Sequence, residues 1–133
     1  MEKGENKEAI DDFTREIKIN PDYADAYYNR GIAYFKLGKT QEAISDFTSA
    51  IRINPNLWAA LYNRGVAYRT LGKYQEAIDD YDTAIQINPN QADAYNNRGV
   101  VKYMLGIDGC SDLRRAESLG LSVNPEAMKA ICH

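Results

Sequence analysis

Residues 22–55 read DYADAYYNRGIAYFKLGKTQEAISDFTSAIRINP, and residues 56–89 read NLWAALYNRGVAYRTLGKYQEAIDDYDTAIQINP. The second stretch repeats the punctuation of the first. Asn-Pro stands at 20/21, 54/55 and 88/89, Asn-Arg-Gly at 29–31, 63–65 and 97–99, and glycine at 38, 72 and 106, each series stepping by 34 residues. A fixed period of this length means one small unit copied in tandem, so the fold is a stack and function lies on a surface the stack creates.

Within each unit the pattern is that of two helices. Between Tyr23 and Leu37, residues Ala26, Tyr27, Ala33, Tyr34 and Leu37 recur at helical spacing and form one apolar face. Gly38 ends this helix, because a residue without Cβ enters the left-handed conformation at low cost. A second helix over residues 40–53 carries Ala43, Ile44, Phe47, Ala50, Ile51 and Ile53 on its apolar side, and Pro55 stops it. The residues after the prolines, Asp22, Asn56 and Asn90, are expected to cap the first helices. Gly31, Gly65 and Gly99 fall mid-helix, where glycine costs about 1 kcal/mol relative to alanine. Close helix packing, small residue against Ala43 or Ala77, with Tyr34, Tyr68, Phe47 and Tyr81 filling the space around it, is the expected compensation.

Composition excludes other classes. The chain has 133 residues, about one domain, and a net charge of −3 with both signs interspersed, unlike the basic footprint of a nucleic-acid binder. No run of about 18 apolar residues offers a membrane span, and the first residues form no export signal, so a cytoplasmic protein is expected.

The series Tyr27, Gly31, Tyr34, Ala43, Phe47, Ala50, Pro55 and its echo Leu61, Gly65, Tyr68, Ala77, Tyr81, Ala84, Pro89 resembles the tetratricopeptide repeat, a 34-residue helix-turn-helix unit. The resemblance implies an all-α, right-handed superhelical solenoid of antiparallel helix pairs, with the first helices lining a concave groove. About seven repeat helices and a short C-terminal capping helix are expected, in one domain. Residues 5–19 form an unpaired second-helix half repeat, with Glu16 where Ala50 and Ala84 stand later. Repeats follow over 22–55 and 56–89, then a degenerate one over 90–123, which loses two residues if Cys110 aligns with Ile78, and a cap over 124–133.

The family implies a non-catalytic module that binds other proteins as an adaptor or scaffold. Its peptide-binding groove would be lined by Tyr28, Asn29, Ile32 and Phe35, by Tyr62, Asn63, Val66 and Arg69, and by Asn97, Val100 and Tyr103. Two roles stand for Asn29, Asn63 and Asn97. A row of amides can pair with the main chain of an extended peptide, as in related repeat proteins, or can join neighbouring helices. For Arg30, Arg64 and Arg98 the favoured reading is pairing with Asp12, Asp46 and Asp80, each 18 residues earlier, which would staple successive repeats. The alternative is an anion-binding ladder. The carboxylate clamp of chaperone-binding members is absent, since its basic positions fall on Tyr28, Asp93 and Asn97 and a supporting asparagine on Ile32, leaving Asn63 as the one match.

Cys110 and Cys132 are expected to be free buried thiols, with a mutual bond as the alternative. His133, the sole histidine, is terminal; no metal-ligand spacing, cofactor motif or nucleophile arrangement is visible, so no metal, cofactor or catalytic site is expected. Two other functions are weighed beside the binding module. One is a self-assembling element, a homo-oligomer joined through Ile10, Phe13 and Ile17 on the unpaired first helix. The other is an accessory domain of a larger enzyme.

Overall fold

The computed structural model describes the backbone of residues 2–132 and the side chains of residues 3–132; His133 lies outside them. Among the described residues there are eight helices and no strand: α1 (Glu2–Ile19), α2 (Ala24–Lys36), α3 (Thr40–Ile53), α4 (Trp58–Thr70), α5 (Tyr74–Ile87), α6 (Ala92–Met104), α7 (Cys110–Ser118) and α8 (Pro125–Ile131). Each packs on its neighbours in the chain, and α2, α4 and α6 also touch one another in series. Those contacts make α2, α4 and α6 one continuous row of a solenoid of helix pairs. Helix α8 closes the far end against α6 and α7, while among the described residues α1 packs only on α2.

Gly38, Gly72 and Gly106 end α2, α4 and α6 with φ of 78°, 75° and 77°. The tight turn this allows lets Lys39 N–H reach back to the Tyr34 carbonyl at 2.9 Å, and Lys73 to Tyr68 likewise. The helix starts differ from the expectation. Asp22, Asn56 and Asn90 are not caps; the N-cap positions are Tyr23, Leu57 and Gln91, none with a side-chain cap bond. The amide oxygens of Asn20, Asn54 and Asn88 instead accept from the backbone N–H two residues on. The asparagine before proline therefore builds an Asx turn, and the residue after proline is held by it.

The mid-helix glycines are sites of close approach, but the partner is an aromatic ring. A Cβ on Gly31 would lie 2.7 Å from the Phe47 ring, and one on Gly65 2.7 Å from the Tyr81 ring; the Ala43 carbonyl comes second at Gly31. In the last pair Gly109 stands where alanine stood, and a Cβ there would meet the Gly99 carbonyl at 2.0 Å. This contact replaces the first turn of the second helix, so α7 has only 9 residues. Asp112, Leu113 and Ala116 are fully covered where Asp80, Tyr81 and Ala84 are in α5.

The cysteines overturn the free-thiol expectation. Cys110 and Cys132 form a disulfide with Cα atoms 5.0 Å apart, joining the start of α7 to the residue that ends α8. The terminal helix folds back because Asn124 caps it, accepting from Glu126 and Ala127 N–H, and because Ile131 buries its side chain.

Candidate functional site

The arginine series is structural, and its pairing runs the other way from the sequence expectation. Arg30 donates from Nε and Nη2 to both Asp46 oxygens at 2.8 Å, and Arg64 grips Asp80 identically; Arg98 does so with Asp112 at 2.9 and 2.7 Å. Each arginine thus pairs with the following second helix of its own repeat. The side chains meet there because first and second helices of a pair cross at the glycine, one residue after the arginine. The bond to the preceding helix comes from the third guanidinium nitrogen, Nη1, which donates to Thr14, Thr48 and Asp82 in turn. Asp12, left without Arg30, pairs with Arg15 on the surface. The buried carboxylates push the three guanidinium pKa values further up through hydrogen bonding.

The amide series links the row α2, α4, α6. Asn63 Nδ2 donates to Tyr28 Oη at 3.1 Å and to the Ala59 carbonyl at 2.8 Å, and Asn97 Nδ2 donates to Tyr62 Oη at 2.8 Å. Arg69 Nη1 donates to Asn97 Oδ1 at 2.6 Å. The period explains the geometry: each asparagine stands 35 residues after the tyrosine it meets, one repeat and one residue along. Asn29 is exposed. Burial raises the Tyr28 and Tyr62 phenol pKa values, the asparagine bonds opposing it in part.

Between α4 and α6 the row opens into a hollow of about 430 Å³, bounded by the rings of Tyr28, Trp58 and Tyr62, the amides of Asn63 and Gln91, and the carboxylate of Asp93. A second hollow of about 630 Å³ lies beside α6 and α8, with Arg69 of α4 and Asp93, Asn96 and Val100 of α6 on one wall and Asn124 and Ala127 on the other. Of the residues expected in a groove, Tyr28, Tyr62 and Asn63 share the first hollow, and Arg69 and Val100 the second. Asn29 and Ile32 belong to a shallower third hollow near α1, with Phe13. Tyr103 is 49% exposed near the disulfide, in a separate depression with Ile107 and Cys132. Asn97 lines none of these; its amide is spent on Tyr62 and Arg69. Ile10, Phe13 and Ile17 are half-buried, and Glu16 beside them is exposed.

Trp58 and Gln91 also line the first hollow, outside the residues expected from the sequence. Trp58 opens α4, where helical period alone places it at the edge of the row. Gln91 carried a legible signal, a polar residue in the register of Tyr23 and Leu57. It is buried because Nε2 donates to the Ala84 and Asn88 carbonyls, at 2.7 and 2.9 Å, closing the turn into α6.

Family models described as TPR repeat match residues 1–38 and 67–106, and models described as tetratricopeptide repeat match residues 24–57 and 47–79. The chain belongs to the tetratricopeptide repeat family. Among solved structures of this family it is similar to MamA at 27% identity and a TM-score of 0.83, covering 94% of this chain and 71% of that one. It is similar also to the first TPR of Spaghetti (RPAP3) bound to HSP90 peptide SRMEEVD, at 33% identity and a TM-score of 0.76, covering 77% and 82%. No curated protein sequence matches the chain. Among the described residues no cluster of metal-ligating side chains occurs, and no helix is long and apolar enough to cross a membrane.

Proposed function

We propose that this tetratricopeptide repeat chain is a non-catalytic interaction module that holds a peptide segment of a partner protein along the row α2, α4, α6. Family membership and the likeness to a peptide-bound repeat domain support a protein partner. The observation that carries the groove reading is the hollow between α4 and α6, where three aromatic rings converge and Trp58 stays 37% exposed. Such rings give apolar contact area with little entropy cost on binding. Asn63 uses both its N–H groups inside the protein, so only its carbonyl oxygen can accept from a partner main chain, whereas Asn29 is exposed. The test compares the native chain with an Asn29/Asn63/Asn97→Ala variant and a Trp58→Ala variant in capturing partners from cell extract. Loss of the same bands with both variants supports the reading. Capture indifferent to Trp58→Ala contradicts it.

Self-association is the second reading, favoured by one observation. Among the described residues helix α1 packs only on α2, whereas α3 packs on both α2 and α4, and Ile10, Phe13 and Ile17 of α1 stay half-buried. Light scattering over a concentration series decides it, with Phe13→Glu expected to dissociate any assembly.

A further inference from the structure

The hollow between α4 and α6 has a definite charge. One carboxylate, Asp93, borders it together with Tyr28, Trp58 and Tyr62, and among the described residues no lysine or arginine lines it. Among the described residues Asp93 belongs to no ion pair, in contrast to Asp46, Asp80 and Asp112, which the repeat arginines hold. Asp93 also borders the neighbouring hollow, which it shares with Arg69; Arg69 does not line the aromatic hollow, and its Nη1 is engaged with Asn97. Asp25, one helical turn before Tyr28 on α2, is exposed and also free of ion pairs among the described residues. Aromatic faces beside an unpaired carboxylate suit a cation carried on an apolar stem: the ring quadrupoles attract the charge, the stem covers the rings, and the carboxylate completes the pairing.

We infer that this pocket receives an arginine or lysine side chain of the bound partner segment, so that the groove selects basic peptides over acidic ones. The inference rests on the groove reading and gives it a charge sign. Arginine fits best, because its planar guanidinium can stack on Trp58 while one edge donates to Asp93.

Selection of displayed random dodecapeptides on the immobilised protein tests it, followed by titration of recovered peptides while reading fluorescence. Trp58 is the only tryptophan of the chain, so its emission reports occupancy of this pocket directly. Recovered peptides are expected to be enriched in arginine or lysine over the input library and to change Trp58 emission. Asp93→Asn should weaken them about tenfold, with an unchanged melting curve. Asp93→Lys should reverse the charge preference. Neutral or acidic peptides that shift Trp58 emission equally well overturn the inference while leaving the groove reading intact. So do basic peptides indifferent to Asp93→Asn. If no recovered peptide affects Trp58, both fall.

Discussion

At the residue scale the repeat uses two buried polar devices, and they differ in completeness. The Arg–Asp pairs are fully engaged: the side chains of Asp46, Asp80 and Asp112 are 6 to 8% exposed, and each carboxylate accepts two guanidinium bonds. Removing one partner leaves a buried charge, so Arg64→Met is expected to cost about 3 kcal/mol in denaturant unfolding, while Arg64→Met with Asp80→Leu should recover much of it. Tyr81 is the incomplete device. Its ring is fully buried against Gly65, yet its hydroxyl has no hydrogen-bond partner among the described residues. Phe47 fills the same place one repeat earlier, so Tyr81→Phe should raise stability by about 1 kcal/mol. A fall in stability on that change would mean that the hydroxyl is bonded. Burial also raises the phenol pKa values of Tyr28, Tyr62 and Tyr81 above 10.0. The unfolded chain then loses these protons first as pH rises, so the native state binds more of them and stability declines above about pH 10, less steeply in Tyr81→Phe.

At the element scale each helix boundary has an identifiable cause. Two kinds of glycine should respond oppositely in size to alanine. Gly65→Ala forces a Cβ into the Tyr81 ring, and overpacking of about 1–3 kcal/mol should exceed the helix-propensity gain of about 1 kcal/mol. Gly4 lies in α1 with nothing within 4 Å of its Cβ position, so Gly4→Ala should be neutral or mildly stabilising. Both are read from thermal melts. Helix α8 depends on its crosslink: reduction of Cys110–Cys132 should speed amide exchange in α8 while leaving α3 to α5 unchanged. Helix positions were legible because period, glycine and proline are local signals. The Asx turns and the arginine partners were not. Asparagine before proline offers both a stop and a turn, and a repeat places an aspartate at similar distance on either side of each arginine, so only the crossing at Gly31, Gly65 and Gly99 decides.

At the scale of the whole molecule, the stack makes a surface that no single repeat possesses. Tyr28, Tyr62 and Asn63 were legible as one surface because a 34-residue step carries each first helix onto the same side. Trp58 and Gln91 were not, because one opens α4 and the other caps α6 at positions where the copies differ in residue type, and those differences shape the hollow. The positions where chaperone-binding relatives would need cations hold Tyr28, Asp93 and Asn97, two of them at the aromatic hollow. The peptide SRMEEVD is therefore expected to show no carboxylate-dependent binding by calorimetry. Binding of a selected peptide is best located by amide chemical-shift mapping of the full chain. Perturbations are expected to concentrate on α2, α4 and α6, strongest around Trp58, Tyr62 and Asp93, with α3 and α5 silent. Perturbations confined to the outer helices or to α1 would contradict the groove reading.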